Sequence, residues 1–407
     1  METIEPDRRW AFTALLFSTM GVGTFIAASL GIIAVVFITD LGISRAQLGF
    51  VFAINTVGAA VLSPVVGRIT DKIGGRAALI VVALAAGVSY LILGAAGSLI
   101  TLGIGSAVGA VAQAGSNPAT NKLIAEDLPA GSQGIVTGIK QSGVQAFIFV
   151  GGLVVPTMAL AWGRVSAYVL FAVVSVILAV AGAWLLPRQR KTVDSETGSL
   201  PRARLPSAIW WITAYGFLLG FSGSATVMFA LFTTEKLGRS IVVGGAVAAV
   251  VGLTAMPARI AWARHAERHH AFRSSLLIIA LLAILASLAL LGAGAGSWWL
   301  IWVAAVLTGL GPSSWNSVGM LGLIVFAGPR AAGHASGVIL FGFLIGLGIG
   351  PPLFGWMVDA NGSYTGVWML SLAAAVAGAL VMVAWKPPER VMPSGDQAHP
   401  NVKGYGV

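Results

Sequence analysis

Two cations sit where an apolar chain should carry none. Lys140, in TGIKQSGVQAF (137 to 147), and Arg259, in AMPARIAWAR (255 to 264), each interrupt a long hydrophobic segment. A charged side chain inside a bilayer is costly, and so is a functional candidate with a partner to be found. The obvious partner, a carboxylate, is missing: each of the 14 acidic residues can be placed in a tail, a loop or an interface. Two buried cations without protein counter-ions are best neutralised by an anionic ligand, and the planar Arg259 guanidinium can grip a carboxylate bidentately. The competing reading is structural. At about 1.5 Å per residue, Lys140 is only about 12 Å along its helix, so its amine can snorkel to the interface; Arg259 is nearer its helix end still.

Asn117 and Asn316 read first as glue between helices and second as cavity lining, and Gln141 and Tyr215 are further lining candidates. Other chemistry is not visible. The chain has no cysteine, which removes disulfides, thiol catalysis and cysteine metal sites. RHAERHH (264 to 270) could hold a metal but reads as a cationic loop. No HExxH-type or serine-nucleophile cluster occurs, and no GxxxxGK[ST] loop for ATP. No catalytic residue, metal or cofactor is expected, and the chain is not read as an enzyme.

The elements that must position these residues follow from composition. With 57% hydrophobic and only 9% charged residues in 407, and a mean hydropathy of +0.90, the chain is far from the soluble range of roughly 25% charged. Apolar runs recur from end to end, each long enough at about twenty residues to span a hydrocarbon core about 30 Å thick. They are continuous, as in SLLIIALLAILASLALL (275 to 291), so the fold is all-α, with twelve transmembrane helices and no barrel. The first run (about 11 to 38) is too long for a cleavable signal and stays as the first helix.

The net charge of +10 follows membrane sidedness and not a nucleic-acid surface. Arg45, Arg164, Lys236 and Arg239 fall on one side, Lys140 and Arg259 within helices, and every other lysine and arginine on the side of the termini. Both termini are therefore expected in the cytoplasm. One polar, proline-punctuated break divides the chain into a six-helix bundle (1–187), a cytoplasmic linker (188–207), a second bundle (208–386) and a tail (387–407). The halves look duplicated: Asn117, Gly138, Gly143 and Gly151 recur at one constant offset as Asn316, Gly337, Gly342 and Gly350. Lys140 has Ile339 at that offset.

GRITDKIGGR (67 to 76), between the second and third helices, is the strongest local motif: Gly67 for close helix contact, Asp71 as an acid at a helix end, Lys72 and Arg76 as cations able to pair with it. Here the sequence resembles the major facilitator superfamily, whose signature reads G-x-x-x-D-[RK]-x-G-[RK]-[RK]. Gly67, Asp71, Lys72, Gly74 and Arg76 match, and Gly75 replaces one basic residue. ARIAWARHAER (258 to 268) resembles the weaker second copy, with Ala263 for glycine, Glu267 for aspartate and Arg268 as the cation. The resemblance implies two pseudo-symmetric six-helix bundles rocking about a central site, with Asp71 as a gate. Arg259, four residues before Ala263, resembles the carboxylate-binding arginine of the superfamily's oxalate and monocarboxylate carriers, and GIKQSGV around Lys140 is similar to its cyanate-type transporters. No cation matches the helix-eleven one of an oxalate carrier.

The expectation is a monomeric secondary transporter of the bacterial cytoplasmic membrane, carrying a small anion with protons as a candidate co-substrate, in contact with lipid and no nucleic acid. Efflux of lipophilic drugs or metabolites is the alternative. It would suit a large apolar cavity, but GGLVVP (151 to 156) displaces the proline of the drug-antiporter signature.

Overall fold

The computed structural model describes residues 9–128, 130–187 and 205–386, and every regular element among them is helical. Residues 188–204 of the expected linker (188–207) and the tail (387–407) lie outside the described residues. The helices are α1 (Arg9–Ile32), α2 (Ala34–Leu41), α3 (Arg45–Ile73), α4 (Gly75–Ala95), α5 (Leu99–Asp127), α6 (Ala130–Leu185), α7 (Ser207–Gly223), α8 (Phe229–Leu231), α9 (Ile241–Arg268), α10 (Phe272–Gly294), α11 (Leu300–Leu310), α12 (Trp315–Asn361) and α13 (Thr365–Ala384).

Ten stretches are each long and apolar enough to cross a membrane. Backbone breaks account for twelve crossings. α6 runs 56 residues but bends at Gly163, whose φ of 79° and ψ of 159° no helix contains, so it holds the fifth and sixth crossings. The tenth crossing is split into α11 and the start of α12 by turns at residues 311–314, leaving Ala335–Asn361 as the eleventh. The first crossing breaks at Ile33 (φ −116°, ψ 33°) between α1 and α2. The seventh continues from α7 through a short 3₁₀ turn (Ser224–Met228), α8 and a π turn (Phe232–Lys236). Such irregular backbone is tolerated at membrane depth where protein packs around it.

Local chemistry sets several ends. Ser44 starts α3 with a capping box, its hydroxyl accepting from the Gln47 amide while the Gln47 side chain accepts from the Ser44 N–H, and Ser98 and Thr101 do the same for α5. Between α3 and α4 the chain turns on Gly74 alone, at φ 85°, a conformation a side chain would strain. That is the conformational reason for glycine inside the GRITDKIGGR motif.

One buried apolar cluster contains residues of both halves, including Phe25, Phe37, Tyr90 and Tyr168 with Phe229, Phe232, Phe354 and Trp368. A second belongs to the later half alone and includes Ile209, Tyr215, Trp315, Ile339 and Trp385. Glycines let the halves meet at two crossings. On α6 and α9, a Cβ added at Gly152 would lie 2.5 Å from the Gly245 carbonyl oxygen, and one at Gly252 would lie 2.6 Å from the Gln145 carbonyl oxygen. On α3 and α12, Gly49 abuts Pro351, Gly355 abuts Arg45 and Gly348 abuts Val57. This second pairing runs antiparallel and holds at one end only. Towards the other end Gly67 on α3, Gly138 on α6 and Gly337 on α12 face open space, with no atom of the described residues within 4 Å of an added Cβ. The halves are therefore shut at the Arg45 end and apart at the Gly67 end.

Candidate functional site

α5 and α6 pack as antiparallel neighbours of the first half, and their facing polar residues form one cluster. Lys140 is fully buried, with 0% exposure. Its Nζ donates to Thr120 Oγ1 at 2.8 Å, to Asn121 Oδ1 at 2.5 Å and to Asn117 Oδ1 at 3.4 Å. Gln141 Nε2 donates to the same Asn117 oxygen at 2.9 Å. The ammonium does not snorkel: it is held by three neutral side-chain oxygens of α5.

Arg259 reaches this cluster from the second half. Its Nε and Nη2 donate to the Ser313 carbonyl at 3.1 and 3.0 Å, and its Nη1 to the Gln141 carbonyl at 3.4 Å. The Ser313 oxygen is free to accept because the tenth crossing is broken there, so no helical N–H claims it. One turn along α9, Trp262 Nε1 takes the Leu310 carbonyl at 2.7 Å at the other side of the break. α9 continues to Arg268, which sets Arg259 deeper from the helix end than the sequence suggests.

Lys140, Gln141, Asn117 and Arg259 are thus joined in one hydrogen-bonded chain across the halves, through Asn117 Oδ1 and the Gln141 carbonyl. Among the described residues no carboxylate pairs with either cation. Neutral oxygens solvate the charges without cancelling them. The arrangement leaves uncompensated positive charge beside partly accessible Asn117, Gln141 and Arg259, where a mobile anion would be stabilised.

The other sequence candidates lie differently. Tyr215 is fully buried in the second half, donates to the Leu276 carbonyl at 2.6 Å and meets the Trp315 ring edge-on, away from the Lys140 cluster. Asn316 is partly buried and its Oδ1 has no partner among the described residues. The carboxylate of Asp71 is exposed (77%) and meets Lys122 Nζ at 3.6 Å, while Arg76 donates to the Ala183 carbonyl. Lys72, Glu267 and Arg268 are exposed helix-end residues, and Gly67 faces open space.

Thr120, Asn121, Lys122 and Ser313 were not singled out from the sequence. Asn121 is one helical turn from Asn117 and so shares its face, a spacing that could have revealed it. The Ser313 carbonyl carries no sequence signal beyond the glycine and proline of GPSS (311 to 314). Away from this cluster, an apolar groove of about 510 Å³ lies between α7 and α12, walled by Trp210, Phe217, Phe341 and Ile345.

The Major Facilitator Superfamily model matches residues 11–311, and the chain belongs to that superfamily. It is a multi-pass membrane transporter with the twelve-helix fold and not an enzyme. An uncharacterised MFS-type transporter of Mycobacterium tuberculosis is 27% identical over 85% of this chain and 79% of its own length. A Cupriavidus necator protein whose name proposes sulfoacetate as cargo is 24% identical, over 86% of this chain and 87% of its own. An Agrobacterium vitis protein whose name proposes tartrate is 31% identical, over only 32% of this chain and 29% of its own. Among solved structures, a bacterial homologue of the human lysosomal transporter Spinster, in an inward-facing and occupied conformation, superposes at a TM-score of 0.70 with 17% identity, covering 94% of this chain and 100% of that one.

Proposed function

We propose that the chain is a secondary transporter that carries small organic anions, carboxylates first among them, across a bacterial cytoplasmic membrane by alternating access. The observation that supports it is the joining of Lys140 and Arg259 through Gln141 and Asn117, with neutral oxygens as their only described protein partners. An anion entering beside Arg259 meets a guanidinium with no carboxylate to displace. Sulfoacetate and tartrate, named for two of the relatives, are small anions with two acidic groups, a charge that two such cations would complement.

In this reading residues 1–187 and 208–386 are the two moving bundles, 188–207 their cytoplasmic linker and 387–407 a cytoplasmic tail. Both termini face the cytoplasm, following the distribution of lysine and arginine. Gly67, Asp71, Lys72 and Arg76, with Glu267 and Arg268 as the second copy, form the cytoplasmic gate. That gate is the end at which Gly67 and Gly337 stand apart. The protein works as a monomer, and a proton carried with the anion is a candidate for coupling.

The test is uptake of labelled sulfoacetate, tartrate and monocarboxylates by proteoliposomes. Saturable uptake that falls at least tenfold in Lys140→Ala or Arg259→Ala is the expected result. Equal flux in the parent and both variants would overturn the site.

The groove walled by Trp210 and Phe341 favours a second reading, efflux of lipophilic compounds. Growth of an efflux-deficient host on a drug panel separates the two. Resistance that persists in Lys140→Ala would support efflux.

A further inference from the structure

At the end where the halves are shut, one arginine of the first half is gripped by two acids of the second. Arg45, the first residue of α3, places Nη2 at 2.9 Å from Glu235 Oε1 and Nε at 3.0 Å from Glu235 Oε2, a bidentate pair. Its Nη1 lies 3.1 Å from Asp359 Oδ1. Glu235 belongs to the π turn that ends the seventh crossing, and Asp359 to the last turn of α12.

Asp359 does a second job. Its carboxylate accepts the backbone N–H groups of Arg45 and Ala46, at 3.3 and 2.9 Å. These are orphan donors of the first turn of α3, at the positive end of that helix dipole, so an acid from the other half serves as a cap. Tyr364, just before α13, completes the group by donating to Glu235 Oε2 at 2.5 Å. Burial and the adjacent carboxylate raise the Tyr364 phenol above its ordinary value, which keeps it a donor.

We propose that Arg45, Glu235, Asp359 and Tyr364 form a latch that holds this end of the transporter shut and must open once in each transport cycle. Four features support it. Every contact crosses between the halves or braces one that does. The pairing of α3 with α12 continues inward from the latch through Gly49 and Pro351 to Thr56, Val57 and Gly348, so releasing Arg45 frees the whole seam from its end. The same two helices stand apart at Gly67 and Gly337 among the described residues, so their contact is confined to the latched end. The charges are partly exposed, at 22 to 29%, which keeps each pair weak enough to break while their sum biases the equilibrium. The latch operates whatever solute is carried, so its test is independent of the anion assignment.

The absence of cysteine allows single-cysteine reporters in the full chain, in lipid nanodiscs that leave both faces reachable. Thr56→Cys places a thiol in the shut seam, where Thr56 is 0% exposed, and Gly337→Cys places one in the open space at the other end. Adding Arg45→Ala or Asp359→Asn is expected to speed maleimide labelling of the Thr56→Cys thiol about five-fold and to slow that of the Gly337→Cys thiol, whereas Arg45→Lys, which keeps the charge but loses the fork, gives rates between those of the parent and Arg45→Ala. Opposite changes at the two reporters mark a switch between closures. Unchanged labelling at Thr56→Cys, or faster labelling at both positions as expected of general loosening, would overturn the latch.

Discussion

Lys140, buried, and Arg259, partly buried, are both cations held by oxygens, but they answer to different tests. Among the described residues Lys140 donates only to side chains of α5, of which Thr120 also donates to the Ser116 carbonyl and Asn117 also accepts from Gln141. A buried charge with no counter-ion carries a desolvation cost that nothing fully offsets, and an apolar side chain of similar length removes that cost. Lys140→Met is therefore expected to melt no lower than the parent protein while anion uptake is lost, as thermal denaturation and proteoliposome flux would measure together. A fall in melting temperature with flux preserved would identify a structural lysine. Arg259 also closes the break in the tenth crossing by taking the Ser313 carbonyl twice. Arg259→Met strands that oxygen and should cost about 1–3 kcal/mol of stability. Arg259→Lys, which can still reach one oxygen, should recover most of the stability and little of the bidentate anion binding.

Among elements, the crossing of α6 with α9 decides how the two cations meet. Gly152, Gly245 and Gly252 allow these helices to touch backbone to backbone, and this contact puts the Gln141 carbonyl within reach of Arg259. A methyl at Gly152 has no room, because the Gly245 carbonyl and the Ala249 backbone are already there. Gly152→Ala is expected to cost about 1–3 kcal/mol as overpacking and to weaken uptake through the displaced Arg259. Gly138→Ala, in open space on the same helix, should leave the melting temperature unchanged or slightly raised in this state. Equal melting of both variants would show that α6 and α9 tolerate separation. Gly74 is a different case, since its φ of 85° and not its neighbours demands glycine.

For the whole molecule, the proposed orientation and cargo make separate predictions. With the linker in the cytoplasm, Ser195→Cys should react with an impermeant maleimide in inverted vesicles and not in intact cells. The reverse pattern would invert the membrane assignment and leave the fold untouched. An anion that binds the folded protein at about a hundred times its dissociation constant should stabilise it by about 2.7 kcal/mol, read as a rise in melting temperature. That rise should vanish in Lys140→Met if the cation cluster is the site. The shut Arg45 end and open Gly67 end make this form the one accessible from the side of the signature motif, so such ligands should bind from that side.

Much of this was written in the chain itself. Hydrophobic runs with so few charges permit only membrane helices, because backbone groups in hydrocarbon must be satisfied within the segment. The signature residues from Gly67 to Arg76 identified the superfamily, and the lone positions of Lys140 and Arg259 marked the candidate site proposed above, because charge inside such segments is rare enough to be read one residue at a time. Tertiary structure decided what those charges touch. Whether Lys140 snorkelled or turned inward depended on Thr120 and Asn121 facing it from α5. Tyr215 pointed instead to a carbonyl of α10, and Asp71 met Lys122 and not the cations of its own motif. The Arg45 latch was invisible for the same reason: its partners stand 190 and 314 residues away, and each alone reads as an ordinary helix-end charge. Periodicity and composition act locally along a chain, whereas contacts between helices depend on packing that only the folded arrangement specifies.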